Sequence, residues 1–143
     1  YVGKNVDVIL RDAGIPCDAS KRIALCEVDQ DHPFLWTEMM MPVLPLTRVR
    51  HADEGIELAL EVEHGFRHTA SMHSRNIDKL SKMARACDCS IFVKNGPNVA
   101  GLGFGGEGPT SFTIASPTGE GMTTARSFTR IRRCTLVDRF RIV

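Results

Sequence analysis

Between residues 43 and 93 the chain alternates strand-like and helix-like apolar patterns, and this order limits the fold more than any other feature. Residues 43–49 read as a strand. Asp53 can cap a helix over 54–63, where Ile56, Ala59, Leu60 and Glu63 keep helical spacing and Gly65 stands where a left-handed stop is wanted. Residues 68–72 alternate weakly as a short strand. Asn76 can cap the next helix, in which Ile77, Leu80, Ala84 and Cys87 share a face while Lys79, Lys82 and Arg85 stay outside. Residues 90–93 form an apolar strand of the buried kind. Strand, helix, strand, helix, strand implies parallel pairing through crossover helices. The fold class expected is therefore α/β, a parallel sheet with flanking helices.

The flanks are less regular. Residues 4–13 predict a helix with Val6, Ile9, Leu10 and Ala13 on one face, stopped by Gly14 and broken by Ile15-Pro16. Residues 22–28 are a strand candidate, 29–33 a turn and 34–38 one helical turn. Pro42 and Pro45 confine the start of the next strand to an edge or loop position. Residues 96–121 hold eight of the twelve glycines plus Pro97, Pro109 and Pro117, a length at which loops are usually functional or cover something. From Phe128 the chain turns β-like, with Phe140 and Ile142 facing one way and Arg139 and Arg141 the other.

Composition excludes several classes. A length of 143 residues is one domain's worth. A net charge of +1 gives no global field for nucleic acid or an anionic membrane. No apolar run approaches the roughly 20 residues of a membrane span. Tyr1-Val2-Gly3-Lys4 does not open a secretory leader, and a start without Met implies that residue 1 is not the native beginning. The five cysteines, Cys17, Cys26, Cys87, Cys89 and Cys134, are odd in number and lack zinc-type pairing, which fits unpaired thiols in a reducing cytoplasm.

Gly101-x-Gly103-x-x-Gly106 matches a dinucleotide fingerprint in form only. No helix pattern follows to receive a pyrophosphate, so a tight glycine turn packed against other backbone is expected. His64, His68 and His73 fall on a helix end and a strand, not one helix face, and no metal site is expected. Cys89 has no visible base beside it, and all five thiols read as inert. The arginines at 126, 130, 132, 133, 139 and 141 alternate as a solvated face or an interface. Glu38 is either a solvated surface charge or a carboxylate for the two hydroxyls of a ribose. Met39 and Met41 read as core filler. Met40 is flexible and polarizable enough to cover an aromatic ring.

Two stretches, Glu38-Met39-Met40-Met41-Pro42-Val43-Leu44-Pro45 and Ser90-Ile91-Phe92-Val93-Lys94-Asn95-Gly96-Pro97 running into residues 101–108, resemble the C-terminal third of aldehyde dehydrogenases. The likeness is to the coenzyme-A-acylating branch that handles acetaldehyde and propionaldehyde, and it runs to Val143. It implies that residues 1–127 are the C-terminal part of the catalytic and cofactor-binding region, and that 128–143 are oligomerisation strands. It implies an NAD-dependent enzyme whose nucleophilic cysteine lies upstream, with coenzyme A as acyl acceptor. None of the five cysteines then aligns with that nucleophile. In the family's Glu-x-aromatic-x-Pro run the Glu binds the nicotinamide ribose. Glu38 and Pro42 match that run, and Met40 stands where the aromatic would be. Asn95 and Gly96, with His68, are implied to line the substrate channel for a small aldehyde. The resemblance further implies a homo-oligomer through the C-terminal strands, with no nucleic-acid or membrane partner. It places the protein in the cytoplasm, with a bacterial microcompartment as the location its relatives favour. A hydrolytic or semialdehyde dehydrogenase, or a non-catalytic assembly module, stays open as the alternative.

Overall fold

The computed structural model describes residues 1–106, 123–135 and 137. The chain divides into two compact units, Tyr1–Gly65 and Phe66–Val143.

In the first unit, helix α1 (Val6–Asp12) follows Asn5 and carries Asp7 in its first turn and Arg11 in its last, charges that complement the helix dipole. Gly14, at φ +76°, turns the chain away. Only Val6 of the expected α1 stripe is fully buried. Strand β1 (Ala24–Glu27) pairs in parallel with β2 (Val43–Leu46), Ala24 opposite Val43 and Cys26 opposite Pro45. Pro45 can sit inside β2 because each strand of a two-stranded sheet has a free edge, where its missing N–H breaks no ladder bond. The crossover holds a single helical turn, α2 (Pro33–Trp36), so Glu38 lies beyond it and not within it. Helix α3 (Ala52–Val62) buries Ile56. Its cap is His51, not the expected Asp53. His51 is extended at φ −156°, and its Nδ1 accepts from Glu54 N at 3.2 Å. Asp53 instead sits in the first turn, where its charge meets the dipole. Two consecutive left-handed residues, His64 and Gly65, end the unit.

In the second unit, β3 (Thr69–Met72) and β4 (Ile91–Lys94) pair in parallel, Thr69 opposite Ile91 and Ser71 opposite Val93. The crossover is α4 (Ile77–Cys87), capped as expected by Asn76, whose Oδ1 accepts from the Asp78 and Lys79 amides at 3.0 and 3.1 Å. Leu80 and Cys87 are buried, and α4 packs on β3. Ile77 departs from the expected stripe: at the first helical position it is 66% exposed. Asp88 ends α4 in the left-handed region, a conformation Asp tolerates better than most residues, and binds Arg67 at 2.6 Å. The 3₁₀ helix Asn98–Leu102 packs on β4.

The sequence order predicts one parallel sheet. Among the described residues there are two, β1–β2 and β3–β4. Local pattern fixes strand direction, but in α/β folds consecutive strands need not be neighbours. The glycine loop follows its expectation where it is described. A Cβ at Gly101 would fall on the Ile91 side chain, and one at Gly106 on the Ala100 carbonyl. At the C-terminal end, Ala125–Phe128 is a 3₁₀ helix, so Phe128 does not open a strand. Residues 129–135 are exposed and carry no regular structure. The strand expected around Phe140 and Ile142 lies outside the described residues, as does most of the proline and glycine stretch from 107 to 122.

Candidate functional site

Glu38, Met40 and Pro42 lie on one short loop that leads into β2. Glu38 is exposed, and its Oε1 accepts from Met40 N at 3.1 Å. Met40 has φ +49°, in the left-handed region, and its carbonyl accepts from Gly3 N at 3.3 Å. This reversal turns Met40 outward at 66% exposure, while Met39 and Met41 on either side are half-buried. Met40 is thus exposed, while Met39 and Met41, expected as core filler, are half-buried and not part of the buried core. Pro42 passes the chain into the ladder, its carbonyl accepting from Ala24 N at 2.9 Å. The loop offers a carboxylate with lone pairs to spare beside an exposed thioether, a donor set that fits two ribose hydroxyls and the face of a ring.

The approach to this loop is heavily tied. His32 caps α2, its Nδ1 accepting from Phe34 N at 3.1 Å, and its ring meets Phe34 edge-on with centroids 5.0 Å apart. Trp36 folds back so that its indole Nε1 donates to the Gln30 carbonyl at 2.6 Å. The Gln30 side chain donates to the Arg48 carbonyl at 3.1 Å. His64 Nε2 lies 2.9 Å from the Trp36 carbonyl. A carbonyl only accepts, so that nitrogen carries the proton. Sequence reasoning singled out none of these roles for Gln30, Trp36 or His64. No periodicity marks residues linked only by the folded chain.

Beyond the C-terminal ends of β1 and β2 a concavity of about 700 Å³ is lined by Glu27, Val28, Asp29, Gln30, His32, Thr47 and Arg48. Two of its charges, Glu27 and Arg48, pair with each other. Arg48 grips Glu27 with two hydrogen bonds, at 2.6 and 2.9 Å. Those bonds, and then the guanidinium charge, hold the Glu27 carboxyl below the usual glutamate range and raise Arg48. Glu54 is likewise lowered, first by the Arg50 amide and then by its guanidinium.

In the second unit, Asn95 follows β4 in the left-handed region at φ +54°. Its amide is used at both ends. Oδ1 accepts from Ser74 N at 2.7 Å and Nδ2 donates to Ser74 O at 3.0 Å. Ser74 Oγ in turn accepts from Asn76 N at 3.0 Å, so strand end, loop and helix cap form one chain of bonds. Gly96 is half-buried, and a Cβ there would meet Val93 at 3.3 Å. His68 is half-buried just before β3, with Nδ1 against Thr69 Oγ1. It stands at the opposite end of the ladder from Asn95 and Gly96, about 16 Å away by strand rise. The structure thus joins Glu38, Met40 and Pro42 on one loop and joins Asn95 with Gly96, but does not bring His68 beside that pair.

Among the described residues no three His, Cys, Asp or Glu side chains converge as metal ligands, and no helix is long and apolar enough to cross a membrane. None of the five cysteines forms a disulfide among the described residues; Cys87 is buried and Cys134 exposed.

Comparison with known proteins gives the context. Residues 23–131 match the model of the aldehyde dehydrogenase family. The acetylating acetaldehyde dehydrogenase EutE of Salmonella typhimurium is 55% identical over 143 residues, which is 100% of this chain and 31% of the relative. A solved structure of Rhodopseudomonas palustris propionaldehyde dehydrogenase with bound propionyl-CoA superposes with a TM-score of 0.84 at 56% identity, covering 94% of this chain and 30% of that one. A propionaldehyde dehydrogenase from the Clostridium phytofermentans fucose utilisation bacterial microcompartment superposes at 0.83 with 44% identity, covering 99% and 32%. This chain thus spans about a third of the length of its relatives, and within that span the family model takes in β1 through the second 3₁₀ helix. The chain belongs to the aldehyde dehydrogenase family.

Proposed function

We propose that this chain is the C-terminal part of an NAD-dependent, coenzyme-A-acylating aldehyde dehydrogenase that converts a short aliphatic aldehyde to its acyl-CoA. One observation carries the reading: 55% identity across the whole chain to an acetylating acetaldehyde dehydrogenase. The propionyl-CoA held by the R. palustris relative supports coenzyme A as acyl acceptor. The nucleophilic cysteine belongs to the part of the enzyme upstream of Tyr1.

Within that enzyme, Glu38 binds the ribose next to the nicotinamide. Its second oxygen and remaining lone pairs accept from the diol while Oε1 stays on the Met40 amide. The outward Met40 side chain lies against the ring, and Pro42 fixes where the loop enters β2. When bound, the nicotinamide supplies the hydride acceptor. Asn95 and Gly96 line the aldehyde channel. Asn95 acts there by holding the Ser74 loop, since both ends of its amide are engaged. His68 makes a separate contact along the same passage. Residues 128–143 form the subunit contact in a homo-oligomer, consistent with the exposed, irregular path of 129–135. The microcompartment source of the C. phytofermentans relative supports a soluble location in the cytoplasm or inside such a compartment.

The test is the full-length enzyme carrying this segment, assayed with propionaldehyde, NAD and coenzyme A. NADH formation that requires coenzyme A is expected. NADH formed at the same rate without it, with free carboxylate as product, would replace the reading with a hydrolytic dehydrogenase.

A further inference from the structure

The bonds around α2 meet at one residue. Trp36 is the only tryptophan of the chain. Its indole N–H is held by the Gln30 carbonyl at 2.6 Å, and its own carbonyl is held by the His64 imidazole at 2.9 Å. The two rings tilt against each other with centroids 6.0 Å apart. Gln30 is itself tied to the Arg48 backbone beyond β2, and His64 sits at the end of α3 with φ +57°. Trp36 is therefore fixed from two directions, two residues before Glu38. Between them lies only Thr37, extended at φ −121°. After Glu38 the loop is pinned again by Gly3 on the Met40 carbonyl. Glu38 is exposed, so no surrounding core holds its carboxylate; its bond to the Met40 amide lies between the two anchors that flank the loop.

We infer that Trp36 is a positioning residue for cofactor binding: clamped between Gln30 and His64, it sets where Glu38 presents its carboxylate. The inference rests on the reading of Glu38 as the ribose partner.

The test is steady-state kinetics on the full-length enzyme with five variants: Trp36→Phe, His64→Ala, His64→Gln, Glu38→Gln and the double variant Trp36→Phe/Glu38→Gln. Trp36→Phe keeps the ring and removes the N–H. It is expected to raise the nicotinamide cofactor KM about fivefold, the loss of one neutral hydrogen bond, with kcat and the KM for coenzyme A within about twofold. His64→Ala should do the same. His64→Gln, whose amide can reach the same carbonyl, should return most of the loss. In the Glu38→Gln background Trp36→Phe should add little, because a residue that acts through Glu38 has nothing left to position. If Trp36→Phe fails to fold, the Ala and Gln pair at His64 decides the matter. A normal cofactor KM in Glu38→Gln would overturn the ribose reading and the inference together. A raised KM in Glu38→Gln with none in Trp36→Phe or His64→Ala, or full additivity in the double variant, would overturn the positioning role and leave Glu38 in place.

Discussion

The two parallel ladders have the same length and opposite characters. In β3–β4 the crossover is the eleven-residue amphipathic helix α4, whose Leu80 and Cys87 are buried, and in β4 Ile91 and Val93 are each 8% exposed. In β1–β2 the crossover has only the four-residue α2, and no residue of either strand is fully buried. There the large side chains face outward: Leu25, Leu44 and Leu46 are 62%, 47% and 44% exposed, while Ala24, Cys26, Val43 and Pro45 are half-buried. A strand–helix–strand unit with a full crossover helix covers a face of its own sheet. One whose crossover is a single turn spends those residues on a loop, here the loop that bears Glu38. The ladder that makes a core and the ladder that presents a carboxylate are built on one plan with different crossover lengths.

That contrast can be broken by substitution. The largest effect is expected at Leu80→Ala, about 3 kcal/mol of unfolding free energy, since it opens a cavity under α4. Leu44→Ala in the other ladder should cost under about 0.5 kcal/mol in this 143-residue chain, measured by the same urea titration. Equal losses would mean that β1–β2 has a core of its own. Next comes Gly101→Ala, expected to cost about 2 kcal/mol because its methyl meets Ile91 at the heart of the second unit. Asn95→Gly keeps the left-handed backbone and removes both bonds to Ser74, for an expected loss of about 1 kcal/mol and faster hydrogen exchange at the Ser74 amide. The smallest effect belongs to the Glu27–Arg48 pair. Glu27 has a lowered pKa, so the pair's contribution is present above the ordinary glutamate range and is lost as pH falls through the lowered value. The pair is exposed, so Arg48→Ala should return the Glu27 carboxyl titration, followed by NMR, to its ordinary range while the melting temperature barely moves.

The elements were legible because their signals are local. Asn76 as cap, Gly14 and Gly65 as stops and the strand at 91–94 follow from neighbours a few residues apart. Where the signals competed, the reading slipped. His51 took the cap assigned to Asp53 because backbone conformation, not residue preference alone, selects the capping side chain. The motif singled out Glu38, but not the bonds that hold its loop. The bonds from Gln30, His64 and Gly3 span 6, 28 and 37 positions, and no periodicity records them.

Sequence by itself determined the parallel direction of the strands, the helix limits to within two or three residues, and the motif that marks the family, because each depends on side-chain pattern and backbone preference over short distances. Only the tertiary structure decided that the strands form two ladders, that Met40 turns outward while its neighbours pack, and that both ends of the Asn95 amide are already bound. Those outcomes depend on which distant backbone groups meet, and a polar group settles on the partner that the folded chain brings within about 3 Å.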